Sequence, residues 1–159
     1  HIKQYNNRWF LFGLEENEEY GNSITNKALD RIVSFSRPSN VCFIPNKDID
    51  FTTFFQDIVG ETIPAEHPLP EKIILRFDQD RFPYILSKPI HQTQEIISKD
   101  EHLISIMVRP NKELESRIFS YGPQVEVIKP TWLREQIIAK IEANLKIYSS
   151  THNGCTEDK

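Results

Sequence analysis

The chemistry this sequence can offer gathers near its front. Arg8, Trp9 and Phe10 stand consecutively in "NNRWFLFG", and Arg31 follows in "ALDRI". A guanidinium can pair a phosphate while a neighbouring ring stacks on a base. Arginines on adjacent strands can converge on one anion. Alternation along an extended strand puts Trp9, Leu11 and Gly13 on one face and Arg8, Phe10 and Phe12 on the other. One face must fill a core; the other is left for a ligand or a neighbour. Plainer uses remain open: Arg31 as the partner of Asp30 or of a turn glutamate, and Trp9 as a core ring. Constellations for catalysis are lacking. There is no Gly-rich phosphate loop, no G-x-S-x-G elbow and no H-E-x-x-H. His1, His67, His91, His102 and His152 have no metal-ligand spacing. Glu15, Glu16, Glu18 and Glu19 read as a solvated loop tip. The expectation is no catalytic residue, no metal and no cofactor: a protein that is not an enzyme.

The elements that must position these residues belong to an ordinary globular chain. It has 159 residues, 26% charged and 38% hydrophobic, enough for one medium domain or two small ones. The net charge of −4 is unevenly spread: −1 over residues 1–50, −3 over 51–70, +1 over 71–150 and −1 over the tail. No broad basic field exists to capture duplex DNA, although a local anion site is compatible with this balance. No apolar run approaches a membrane span, and "HIKQYNNRW" lacks the core of a signal peptide. The first residue is His, so the sequence reads as a piece of a longer polypeptide. Cys42 and Cys155 are far apart, which argues against a disulfide framework and for a cytoplasmic protein. Cys42 in "NVCFIP" reads as a small buried apolar residue.

Strand patterns open the chain. "HIKQY" and "RWFLFGL" flank Asn6-Asn7, a pair suited to a tight hairpin turn. "SITNKALDRIVSFS" reads as a third strand with apolar groups on both faces, as in a small, curled barrel. Three strands are too few to close such a barrel, so the others are expected upstream. Asp50 is placed to cap a short helix carrying Phe51, Phe54, Phe55 and Ile58, stopped by Gly60. Pro64, Pro68 and Pro70 mark a linker. From residue 72 the order is strand, weak helix, strand, strand, helix, strand, which is the ferredoxin-like unit. Asn111 is the N-cap of the second of these helices and Gly122 its stop. An extra helix follows over 131–148, with Leu133, Ile137, Ile141 and Leu145 spaced by four. The central strand candidate of that unit, "HLISIMVRP", would turn Ser105, Met107 and Arg109 outward, with no ring to stack a base.

Taken in order, "RWFLFG", "ALDRI", "FFQDIVGETIP", "HQTQEI" and "FSYGPQVEVIKPTWLREQI" resemble the WYL-domain family of bacterial transcriptional regulators, with its C-terminal extension domain. Trp9-Phe10-Leu11 stands where that family has Trp-Tyr-Leu, and Leu29-Asp30-Arg31-Ile32 matches its Leu-Asp-Arg-Ile. Gly122, Glu126, Val127, Pro130, Leu133 and Arg134 carry its Gly-x-x-x-Glu-Val-x-x-Pro-x-x-Leu-Arg signature. The resemblance implies an α+β chain: a partial Sm-like small β-barrel (WYL) over residues 1–50, a short helix and Pro-rich linker over 51–70, a ferredoxin-like α/β sandwich with an extra C-terminal helix over 71–150, and a polar tail over 151–159. It also implies a C-terminal fragment whose barrel begins upstream. The function implied is effector sensing. A nucleic-acid or nucleotide-like ligand would bind at Arg8, Trp9, Phe10 and Arg31. It would control an N-terminal helix-turn-helix absent from this chain, which supplies the contact with DNA. Leu11, Asp30, Gly122, Pro130 and Arg134 stand as signature residues. Arg134 is a candidate ligand contact or a salt-bridge partner of Glu135 or Glu126. Phe10 lacks the hydroxyl of the family's Tyr, and Asn26, Lys27 and Ala28 replace its frequent basic residues. A homodimer, with the extension domain as a pure assembly module, is the alternative.

Overall fold

The computed structural model describes residues 1–15, 23–36, 45–64 and 69–150. The expected glutamate-rich turn, Cys42, Pro68 and the polar tail fall wholly or largely outside these. The chain divides into two compact units, His1–Leu69 with Arg109–Leu114, and Pro70–Val108 with Glu115–Lys159. The architecture is α+β, with one antiparallel sheet in each unit.

The first unit is built on a sheet of β1 (Ile2–Tyr5), β2 (Arg8–Glu15) and β3 (Ser23–Ala28) in that order. Asn6 and Asn7 turn the hairpin at φ 47° and 61°, left-handed conformations that asparagine tolerates better than most residues. The register sets Lys3 opposite Phe10 and Leu11 opposite both Ile2 and Lys27. Phe10 and Phe12 therefore share a face, and both are buried. Rings from 50–58 lie against that face, with Phe55 meeting Phe12 edge-on at 4.8 Å. This segment is a series of turns rather than the expected helix. Asp50 does cap it: its Oδ1 accepts from the Thr52 amide at 2.9 Å, and its carbonyl accepts from Phe54 N at 2.9 Å. The next bonds, Gln56 N to Thr53 O and Ile58 N to Phe55 O, reach back only three residues. Clustering of Phe51, Phe54 and Phe55 holds the shape instead.

The third strand also ends earlier than the sequence pattern suggests. Pairing stops at Ala28, and Leu29–Arg31 form a 3-10 turn closed by Ile32 N to Leu29 O. Beyond it Val33 and Phe35 are exposed, so "LDRI" is a corner and not part of a barrel strand.

The second unit has the ferredoxin-like order. Strands β4 (Glu71–Phe77), β5 (Glu95–Ser98), β6 (Leu103–Val108) and β7 (Val125–Lys129) form a sheet ordered β5-β6-β4-β7, antiparallel throughout. Helix α1 (Phe82–Ser87) connects β4 to β5, and α2 (Lys112–Phe119) connects β6 to β7. Each connection steps over one strand, giving two interlocked β-α-β units. The alternating faces predicted for β4 and β6 hold: Ile73, Leu75, Phe77, Ile104, Ile106 and Val108 are all buried. Each contributes roughly 1.5–3 kcal/mol. Of the residues expected outward on β6, Ser105 is buried while Met107 is exposed. Helix α3 (Thr131–Ser150) buries Leu133 and Ile137 at its start. No described helix is long and apolar enough to cross a membrane.

Asn111 is the N-cap of α2, its Oδ1 accepting from Leu114 N at 2.9 Å. Its Nδ2 donates to the carbonyls of Val59 and Thr62 at 2.8 and 3.0 Å, so one amide fixes both sides of Gly60. That glycine sits at φ +84°, and a Cβ there would come within 2.7 Å of Glu113 Cγ and 3.1 Å of the Tyr5 ring. Gly60→Ala should therefore destabilise the protein by about 2 kcal/mol, seen as a lower urea midpoint. An unshifted midpoint would contradict this packing.

Candidate functional site

Arg8 lies on the Phe10 face of β2, where its guanidinium reaches the corner after β3. Nη2 donates to Asp30 Oδ2 at 2.5 Å, with side chains 39% and 59% exposed. The pair exists because the strand ends at Ala28: the 3-10 turn swings Asp30 toward Arg8. The hydrogen bond from Arg8 holds the Asp30 carboxyl below the usual carboxylate range, and the charge of Arg31 adds to this. Arg31 is exposed and has no ion pair among the described residues. Asp30 thus stands between two arginines but bonds only to Arg8.

The other two expected ligand residues part company. Phe10 is 9% exposed and faces the interior, so the ring expected to stack on a ligand is a core ring. Trp9, on the opposite face, is 50% exposed, beside the exposed Leu11 and Ile2. The core role considered for Trp9 belongs to Phe10 and Phe12. Arg8 therefore holds Asp30 while Arg31 acts on it only through its charge, and Trp9 and Phe10 cannot grip one ligand from opposite sheet faces.

A polar cluster that no motif signalled adjoins Arg8 on the interior face. Lys3 Nζ donates to Gly60 O at 2.7 Å and lies 3.7 Å from the centre of the Phe55 ring. Asn26 Nδ2 donates to the Glu61 carboxylate, and Thr62 Oγ1 donates to Glu113 Oε1 at 2.5 Å. Glu113 Oε2 is buried with no partner among the described residues. Burial, then repulsion from Glu113, pushes the Glu61 carboxyl up, against the opposing effects of Asn26, Lys3 and Arg8. Burial lowers Lys3, partly offset by the two glutamates. These residues come from β1, β3, the 60–62 loop and α2, so no local spacing could reveal them. The one available signal was a lysine alternating onto an aromatic strand face.

The signature residues outside this unit lie between α2 and the first turn of α3. Arg134 Nη1 donates to Glu126 Oε1 and to Val127 O, both at 2.7 Å, tying the first turn of α3 to β7. Glu126, not Glu135, is the partner, and it also accepts from Arg76. Gly122, at φ +56°, lies just beyond α2. Pro130 directly precedes α3, and its carbonyl accepts from Arg134 N. Arg109 is bound to Asp57 and to Phe54 O. Among the described residues no group of three His, Cys, Asp or Glu side chains could hold a metal.

The raised pKa of Glu61 makes a signed prediction. A carboxyl raised on folding adds stability that is complete below the ordinary glutamate range and is lost as pH rises through the folded value. Glu61→Gln keeps an acceptor for Asn26 and removes the charge facing Glu113. The variant should melt about 2 °C higher than the wild type at pH 7, with the gap closing as pH falls below the ordinary glutamate range, where Glu61 is protonated in both states. A gap independent of pH would refute the assigned cause.

Comparison with known families bears on the other unit. Residues 69–145 match the family model of the WCX domain, and no curated protein matches the chain. The match runs from the start of the ferredoxin-like sheet into α3, and the WCX domain it resembles is one associated with WYL-type regulators.

Proposed function

We propose that this chain is the effector-sensing part of a transcriptional regulator, its first unit being a portion of a WYL-type barrel. The observation carrying this reading is the Arg8–Asp30 pair with Arg31 beside it. One guanidinium holds the exposed Asp30 carboxylate and the charge of Arg31 acts on it as well, so an anionic ligand at this corner would meet both. A phosphate of a nucleic-acid or nucleotide-like effector competes with Asp30, and releasing Asp30 frees the corner at 29–31. That change is the signal passed to a DNA-binding domain not contained in these 159 residues. The WCX domain supports the regulatory reading. The cytoplasmic location and the absence of turnover chemistry belong to the same proposal. The test is anisotropy titration with a short labelled deoxyoligonucleotide. Arg8→Ala with Arg31→Ala should weaken binding at least about 10-fold, and Asp30→Asn should tighten it. Unchanged affinity in both variants would remove this site.

A second reading, assembly, is favoured by α3. Its stripe continues from buried Leu133 and Ile137 into Ile141, Leu145 and Tyr148, which are 53%, 65% and 75% exposed. Glu142 and Lys146 lie one turn apart near this stripe. Two antiparallel copies would set each Glu142 against the other's Lys146 while burying the apolar rows. Light scattering should then give a dimer for the wild type and a monomer for Ile141→Glu with Leu145→Glu. A wild-type monomer at high concentration would end this reading.

A further inference from the structure

The WCX unit carries a second group of cations, held by aromatic rings rather than by carboxylates. Arg81, just before α1, donates from Nε and Nη2 to Gln124 Oε1 at 2.9 and 2.7 Å, a neutral acceptor. Its guanidinium carbon lies 5.3 Å from the centre of the Tyr84 ring and 5.6 Å from that of Tyr121. Arg117, near the end of α2, approaches Tyr121 at 5.6 Å, and Lys88, at the end of α1, approaches Tyr84 at 6.0 Å. Among the described residues none of these three cations has a salt bridge. The carboxylates closest in sequence to Arg81 are Asp78, which is occupied by the Arg81 backbone amide, and Asp80; the one closest to Arg117, Glu115, pairs with Lys140. The rings differ in depth. Tyr121 is 6% exposed and packs edge-on against Phe77, anchoring the cluster to the core. Tyr84 is 43% exposed.

A cation over a ring is attracted by the quadrupole without losing its charge to an anion. Arg81 and Lys88 therefore present positive charge around the accessible Tyr84 ring, and Arg117 extends it past the buried Tyr121, as surfaces that track a single-stranded backbone do. We propose that this patch is a second contact for a single-stranded nucleic acid: phosphates lie against Arg117, Lys88 and Arg81, and one base stacks on Tyr84. An acidic peptide would be drawn by the same cations, but it would make no use of an exposed ring flanked by them. The inference rests on the nucleic-acid class of effector proposed above, and it places a contact in the unit where base readout by the sheet is absent.

The test uses the whole chain and a single strand of about twelve thymidines, one of them replaced by a photoreactive 5-iodouracil. Crosslinks mapped by mass spectrometry should include the peptide bearing Tyr84, and they should persist in the Arg8→Ala, Arg31→Ala variant. Lys88→Gln with Arg117→Gln removes two cations without breaking an ion pair. It should weaken binding about 5-fold or more and flatten the salt dependence by about 1.4 in the slope, roughly 0.7 per lost phosphate contact. Tyr84→Leu should weaken binding at least about 5-fold with the slope unchanged. The patch assignment is overturned if crosslinks are confined to the first unit, or if the double variant keeps wild-type affinity and slope. Equal competition by a glutamate peptide of matched charge would overturn the choice of nucleic acid. Loss of the oligonucleotide response only in the Arg8, Arg31 variant would leave the earlier proposal standing and remove this one.

Discussion

The side-chain amide of Asn111 is the constraint from which the first unit's charged interior follows. It is 6% exposed and uses both donor protons and its oxygen. Leaving such a buried group without partners costs roughly 1–3 kcal/mol for each lost contact. The two carbonyls it holds flank Gly60 and Glu61, so the loop has little freedom to retreat from the sheet. The same amide starts α2, and thereby sets Glu113 two residues on. Lys3, Asn26, Glu61 and Glu113 meet because one capping residue serves two backbones at once.

That arrangement has an electrostatic consequence. Glu61 and Glu113 repel one another, opposed at Glu61 by the Asn26 hydrogen bond and then by the charges of Lys3 and Arg8. Lys3 is itself committed to a carbonyl and to the Phe55 ring. Arg8 faces two ways: it bonds the exposed Asp30 and its field stabilises Glu61. Under the proposed sensing function, a ligand drawing the Arg8 guanidinium outward would weaken both effects and so couple the corner to the loop that Asn111 holds. The coupling is modest, since both partners of the Arg8 pair are substantially exposed and solvent screens them. Modest coupling suits a switch, where a few kcal/mol between states is the working range.

Local chemistry was legible in the sequence and convergence was not. Asn6-Asn7 announced the hairpin because few residue pairs accept two successive left-handed conformations. Alternation in "KIILRF" and "LISIMV" announced buried strand faces, and the element order then left the ferredoxin-like topology as the natural reading. The four-residue spacing of Leu133, Ile137, Ile141 and Leu145 announced α3, yet spacing alone could not tell that only the first two are buried. At "LDRI" the apolar alternation continued past the point where pairing stops, because a corner needs no distinctive residue when a salt bridge holds it. At 50–58 the helical spacing of phenylalanines was real as a packing face, but the hydrogen bonds do not follow it. Arg109 with Asp57, and Glu61 with Glu113, are separated by 52 residues each, and no period links them.

The position of Phe10 shows how burial changes the meaning of a substitution. Compared with the Trp-Tyr-Leu that the motif resembles, this chain lacks a hydroxyl, and from sequence that reads as a lost ligand contact. In the structure Phe10 faces the interior between Lys3 on one strand and Ala28 on the other. A hydroxyl there would need a partner, and an unsatisfied one costs roughly 1–3 kcal/mol. Among the described residues the chain already bears one such orphan, the buried Tyr121 hydroxyl. Phenylalanine fills the same volume with no such demand. Its selection of ring without oxygen is thus a packing solution for a face closed by Phe51, Phe54 and Phe55, and the recognition proposed for this corner is left to guanidinium groups rather than a phenol.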